Sequence, residues 1–288
     1  MANLSIENKY LIAEINPDGA ELKSLKNKET GIEYIWQADP LFWNRSAPLL
    51  FPIVGEVTNN VLRVNGQEYP IGRHGFVRDM RLEISSIHEN EVTYSLKSTA
   101  ETLEKYPFNF HFAVKFELKE KQLITTFTVK NTDDKSIYFS VGAHPAFNLP
   151  GGNIEDYYIE FEQAETLSRH LLKNNNFSGE TEEVISNANQ LSLTTALFDK
   201  DAIVFKNMQS KSLTLKSKVD DYAVKMDFEG FPYFGIWTKP NCEKFVCLEP
   251  WCGLADNHDF NGEFKDKEGI ISLAPNENFK RSFTTEIV

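Results

Sequence analysis

The chain has 288 residues, 41% of them hydrophobic and 25% charged, the composition of an ordinary soluble protein with a core large enough to need no disulfide or metal staple. Its net charge of −12 denies it the basic footprint of a nucleic-acid binder and the polybasic segment of an anionic-lipid binder. No apolar run approaches the ~20 residues of a membrane-spanning helix, so neither nucleic acid nor membrane is an expected partner.

The N-terminal stretch "MANLSIENKYLIAEI" lacks a basic region followed by an apolar one, so no secretory signal is expected and a cytoplasmic location follows. The Asn-x-Ser matches at Asn3, Asn44 and Asn176 then carry no glycosylation. Turn signals stand at 16–19 ("NPDG") and 65–66 ("NG"). Val92, Tyr94 and Leu96 alternate with polar residues, and "TAETLEKY" (99–106) reads as two turns of helix. Phe110, Phe112, Val114, Phe116 and Leu118 alternate with His111, Ala113, Lys115 and Glu117, a strand with one apolar face. Phe127 and Val129 repeat the pattern before the turn "NTDDK" (131–135). A strand "SIYFSVGAH" (136–144) leads to a "PGG" turn at 150–152, and "AETLSRHLLK" (164–173) reads as a short helix. Further alternation begins at Leu213 and Leu215 and runs through Tyr222, Val224, Met226 and Phe228, and the all-apolar 245–248 predicts a strand buried on both faces. Many one-sided strands with short turns, no repeat and no linker predict an all-β protein of packed antiparallel sheets, one domain over 1–288.

Standard signatures are missing: no Gly-rich nucleotide loop, no P-loop, no Gly-x-Ser-x-Gly elbow. "HENEV" (88–92) lacks the second histidine of a zinc helix, and Cys242, Cys247 and Cys252, five apart, form neither a disulfide framework nor a Cys-x-x-Cys pattern. His111, His170 and His258 lie in polar surroundings without metal-ligand spacing. Three other residues invite chemistry. His74 lies among glycines in "IGRHGFVRD", where a ligand can come close to the backbone. His144 ends a strand on its more polar face. Glu249 follows an apolar strand, where partial burial would raise its pKa toward that of a general base working near neutrality. Each also admits a structural reading, as a satisfied histidine or a salt-bridged glutamate. Trp43, Phe147, Trp237 and Trp251 offer aromatic faces near these points, and Arg45, Arg73 and Arg78 lie beside the same segments.

The ordered set "NPDGAELKSL" (16–25), "FWNRSAPLLFPIVG" (42–55), "GRHGFVRD" (72–79), "GAHPAFNLP" (142–150) and "FVCLEPWCGLAD" (245–256) resembles the aldose 1-epimerase, or galactose mutarotase-like, family, in its LacX-like bacterial branch. The resemblance implies a large antiparallel β-supersandwich with a sugar site in a cleft across one concave face. It places the family's acid on His144, its second site histidine on His74 and its base on Glu249. Hydroxyls would be held by Arg73 and an aspartate, Asp201 with Asp199 as rival, and Asn148, of the aromatic-Asn pair with Phe147, and Trp237, an aromatic face, would complete the substrate site. Arg45 and Arg78 stand where the hexose-6-phosphate branch carries arginines thought to bind phosphate, although "RSAP" replaces that branch's usual Arg-Gly-Gly-x-Pro. The implied reaction is interconversion of α and β anomers of an aldohexose, with no cofactor, no metal and a monomer or homodimer as the working form. A hexose-6-phosphate 1-epimerase and a non-catalytic carbohydrate binder on the same fold are the alternatives. A glycoside hydrolase is disfavoured, because Glu249 lacks a carboxylate partner in the motif set. The pair should give a bell-shaped pH profile, its alkaline limb from His144 and its acid limb from Glu249.

Overall fold

The computed structural model describes residues 3–288. The alternation read between 110 and 118 is a strand, Phe110–Lys119, whose residues switch strictly between buried and half-buried up to Leu118 and end on the exposed Lys119. It pairs antiparallel with Gln122–Asn131, with Phe116 opposite Thr125 and Val114 opposite Phe127. This hairpin lies inside a nine-stranded antiparallel sheet, as its sixth and seventh strands. One edge of that sheet is the long hairpin Tyr157–Lys173 and Asn176–Ser192; the other is Glu83–Ile87. A second sheet has six strands: Ile203–Phe205, Tyr233–Trp237, Phe245–Cys252, Val141–Ala143 and Leu49–Leu50 in that order, with Ala146–Asn148 also paired to Phe245–Cys252.

The apolar faces of the two sheets meet in one core that runs from Ile6 to Ile287. Phe51, just past the strand Leu49–Leu50, puts its ring 5.1 Å from Phe110 and 4.9 Å from Phe112 of the opposite sheet. A fully buried phenylalanine of this kind contributes ~2–3 kcal/mol, so such contacts hold the site-bearing sheet against its partner. The architecture is the antiparallel β-sandwich expected from the sequence. No helix among the described residues is long and apolar enough to cross a membrane.

Three local expectations are corrected. Residues 164–173 are not a helix but part of the strand Tyr157–Lys173. Their helix propensity is overridden by tertiary partners: the Glu165 carboxylate accepts from the backbone N–H of Gln209 and Ser210, and Arg169 pairs with Glu182 across the hairpin. The helix expected over 99–106 is a single turn, Ala100–Leu103, closed by a reciprocal Thr99–Thr102 cap. The strand 136–144 divides at Ser140, where the chain changes sheets. Ile137–Phe139 pairs with Ile271–Leu273, whereas Val141–Ala143 pairs with Phe245–Cys252 and Leu49–Leu50.

Candidate active site

Residues 141–148 run antiparallel along 252–245 without a slip: Gly142 faces Trp251, Ala146 faces Cys247 and Asn148 faces Phe245. The same register sets His144 opposite Glu249, and their side chains meet with His144 Nε2 3.1 Å from Glu249 Oε2. Glu249 was expected where its strand ends. It lies instead in the middle of Phe245–Cys252, every residue of which is buried, and is itself 1% exposed. Small neighbours make the room. A Cβ on Gly142 would stand 2.7 Å from the Trp251 ring, and one on Gly235 would stand 2.9 Å from it. The indole therefore lies across both glycines and walls one side of Glu249. On the other side the His144 ring sits 5.1 Å from Trp43 and 5.5 Å from Trp237.

His74 is held by a different device. It adopts φ 65°, in the left-handed region that a non-glycine residue enters at a cost, and Gly75 beside it has φ 73°. The turn clamps His74 against Gly55 twice: its N–H donates to Gly55 O at 2.7 Å, and Gly55 N–H donates to its Nδ1 at 3.1 Å. With Nδ1 used as acceptor, the ring proton is on Nε2, so His74 is a neutral hydrogen-bond donor. Its ring is perpendicular to that of His144, with centroids 5.7 Å apart.

Burial dominates the electrostatics. It lowers His144 to about 3, and the charges of Arg78, Arg73 and Arg45 push the same way. Burial also takes His74 well below the ordinary histidine value, followed by the charges of His144 and the same three arginines. Glu249 is pushed well above the ordinary carboxylate range by burial and then by the negative charge of Asp201. Taking a charge out of water is costly for both members of the pair, so burial favours neutral His144 beside protonated Glu249 over the imidazolium–carboxylate form.

The pair forms the floor of a cleft of about 500 Å³. The aldose 1-epimerase family profile matches residues 3–280 of the sequence. The chain belongs to the aldose 1-epimerase family. It is 35% identical to protein LacX (plasmid form) of Lactococcus lactis subsp. lactis over 299 aligned positions, covering 99% of both chains. Among solved structures it is similar to a galactose mutarotase related enzyme from Lactobacillus acidophilus, with 33% identity, a TM-score of 0.95 and coverage of 99% of this chain and 97% of that one. It is likewise similar to a galactose mutarotase-like protein from Lactobacillus casei, with 33% identity, a TM-score of 0.94 and coverage of 99% and 100%.

In this member of the epimerase family, His74, Arg73, Arg78, Asp199, Asp201 and Trp237 line the cleft together with His144 and Glu249. Both rival aspartates are present, but Asp201, at φ 71°, is the one whose charge acts on Glu249. Two expected site residues lie elsewhere. Asn148 donates both of its amide bonds to backbone carbonyls, Glu33 O and Ile35 O, each at 2.9 Å, and does not reach the cleft. Arg45 is not in the lining either, since its guanidinium is taken up by Asp79 at 2.5 Å and by Arg78 O. Phe147, next to Asn148, is fully buried in the core. Two polar lining residues, Glu56 and Asn175, had no local sequence signal. Cys247 brings its Sγ within 4.8 Å of the His144 and Glu249 ligand atoms, a His/Cys/Glu set of the kind that soft divalent metals use.

Proposed function

We propose that this chain is a mutarotase, acting as one domain over 1–288, that interconverts the α and β anomers of an aldohexose by opening and reclosing its ring. The observation that carries this reading is the 3.1 Å contact between His144 and Glu249 on the floor of the cleft. Ring opening moves protons at two oxygens borne by the same carbon, the anomeric hydroxyl and the ring oxygen. An acid and a base for that step must be close neighbours. A glycosidase, by contrast, separates its carboxylates by ~5–9.5 Å.

Glu249, as carboxylate, takes the proton of the anomeric hydroxyl while His144, as imidazolium, gives its Nε2 proton to the ring oxygen. The C1–O5 bond breaks and the C1 carbonyl forms. The step leaves Glu249 protonated and His144 neutral, the state that burial favours. Rotation about C1–C2 presents the other carbonyl face, and the two residues reverse roles as the ring closes. The imidazolium–carboxylate form needed at the start has the same number of protons as the neutral pair, so it is reached by moving one proton across the contact. His74 Nε2–H donates to a sugar oxygen beside the reacting carbon, Asp201 and Arg73 hold hydroxyls, and the Trp43, Trp237 and Trp251 faces receive the apolar side of the ring.

Glu249→Gln preserves shape and removes the base. The kcat for polarimetric mutarotation of α-glucose or α-galactose should fall at least ~10²-fold while the thermal midpoint stays near that of the parent. Unchanged turnover would refute the base role. A wild-type protein that speeds no aldohexose above the buffer rate would overturn the function itself.

A further inference from the structure

We infer that Glu56, held by Arg73 and Asn175, is the specificity-determining residue of the cleft and selects an uncharged, hydroxyl-bearing sugar end against a phosphorylated one. This inference rests on the mutarotase reading and names its substrate class.

The three residues come from separate parts of the chain. Glu56 follows Gly55, the residue that clamps His74, and Arg73 precedes His74, so their side chains stand next to the reacting centre. Asn175 is at the tip of the hairpin between Tyr157–Lys173 and Asn176–Ser192. Arg73 Nε donates to Glu56 Oε2 at 3.3 Å, and Asn175 Nδ2 donates to the same oxygen at 3.2 Å. The Glu56 backbone is fixed as well: its carbonyl accepts from Asn176 Nδ2 at 3.0 Å and from Asp256 N–H at 2.9 Å. The carboxylate is thus a placed group, 18% exposed, and not a mobile surface charge.

Both bonds end on one oxygen. Glu56 keeps Oε1 as an acceptor, and Arg73, 41% exposed and bonded through Nε, keeps its two Nη groups as donors. A cluster that offers donors and acceptors side by side matches a hydroxyl, which does both. It does not match a phosphate ester, which at neutral pH accepts only and carries a charge of about −1.5 to −2. The wider cleft reinforces the choice. Two arginines, Arg73 and Arg78, line it against Glu56, Asp199 and Asp201, and the third nearby arginine, Arg45, is neutralised by Asp79. The basic cluster that suggested a phosphate site in the sequence is therefore offset, in the lining, by more carboxylates than arginines.

The test is exchange NMR of the anomeric protons at equilibrium, which follows free and phosphorylated sugars in the same way. Glucose, galactose and their 6-phosphates are compared with the parent, Glu56→Gln, Glu56→Asp and Asn175→Asp. The parent should prefer the free hexose in kcat/KM by at least ~10-fold, and Glu56→Gln should erode that ratio ~10-fold, chiefly through a lower KM for the phosphate. Glu56→Asp should keep the preference, and Asn175→Asp, which adds a carboxylate at the same spot, should sharpen it. A parent that prefers the phosphate overturns the inference, as does a Glu56→Gln protein of native thermal midpoint with an unchanged ratio. If Glu56→Gln fails to fold, Asn175→Asp decides, and an unaltered or weakened preference there overturns the inference. If no sugar anomerises above the buffer rate, the mutarotase reading fails on its own terms. Calorimetric binding of the same four sugars to the parent and Glu56→Gln then reads the charge selection separately, and equal affinity for both classes overturns it.

Discussion

Acidification from pH 7 to pH 5 should cost the folded protein about 2 kcal/mol at His144 alone, and His144→Asn should abolish that cost. The unfolded chain presents His144 with its ordinary value of 6.5, whereas the folded chain holds it near 3. Between those limits the unfolded state binds the extra proton, so stability rises with pH. The contribution is intact above 6.5 and is lost as pH falls toward 3. Each pH unit inside the window is worth ~1.4 kcal/mol, and the step from 6.5 to 5 spans one and a half of them. Urea unfolding of the parent and His144→Asn at both pH values reads the effect, because burial, the largest cause of the shifts at His74 and Glu249, persists in both proteins. The parent should lose about 2 kcal/mol more than the variant on going to pH 5. A resting pair of imidazolium and carboxylate would instead raise the pKa of His144, and acidification would then favour the parent over the variant. Equal slopes, or the larger loss in His144→Asn, would refute the neutral pair.

The same proton count changes the expected rate profile. The active pair carries one proton, so kcat/KM should hold a plateau across neutral pH, bounded on the acid side by a second proton on His144 and on the alkaline side by loss of the proton from Glu249. This reverses the limbs expected from the sequence: an alkaline limb that disappears in the residual activity of His144→Asn would restore the earlier assignment. Proton transfer through the pair needs no metal, so activity should survive exhaustive EDTA; loss that one divalent ion restores would make His144, Cys247 and Glu249 a metal site. Away from the cleft, Lys267 and Asp256 form an ion pair at 2.8 Å with side chains only 1% and 4% exposed. Lys267→Met, which strands the aspartate, should cost ~3 kcal/mol or more in urea unfolding, and adding Asp256→Leu should recover much of it; a single variant as stable as the parent would show that the pair is not an anchor.

What the sequence made legible was local. Period-2 alternation at Phe110 to Leu118 is a property of neighbours, and it predicted both the strand and the one-sided sheet. His144 and Glu249 stood out because each closes an apolar run. Their separation was not legible, since it comes from a ladder between segments a hundred residues apart, in which Gly142 must face Trp251. Residues 164–173 misled because their composition favours helix while their partners, Gln209, Ser210 and Glu182, lie far along the chain. Asn148 follows His144 in the order the family resemblance implies, yet its amide is spent on Glu33 O and Ile35 O. Glu56 and Asn175, 119 residues apart, carry no signal until the hairpin tip brings them together.

The charges around the cleft bear on the direction in which the proton of the pair leans. Arg78, Arg73 and Arg45 act on His144 and lower it, which disfavours the imidazolium. Asp201 acts on Glu249 and raises it, which disfavours the carboxylate. Basic and acidic neighbours thus reinforce burial, and all of them favour protonated Glu249 beside neutral His144. On the proposed chemistry that is the state reached when the sugar ring has opened. The imidazolium–carboxylate form that starts the reaction is the disfavoured one, and it discharges as the C1–O5 bond breaks. A field fixed by folded charges needs no reorganisation at that moment, so proton transfer to the sugar runs downhill once the charge-separated form is reached, at the cost of making that form rarer. Weakening the field should slow opening more than closure. Asp201→Asn therefore becomes the substitution in which the open-chain form, trapped as a semicarbazone, accumulates less per turnover than in the parent, and an unchanged trapping ratio would separate Asp201 from the proton pair.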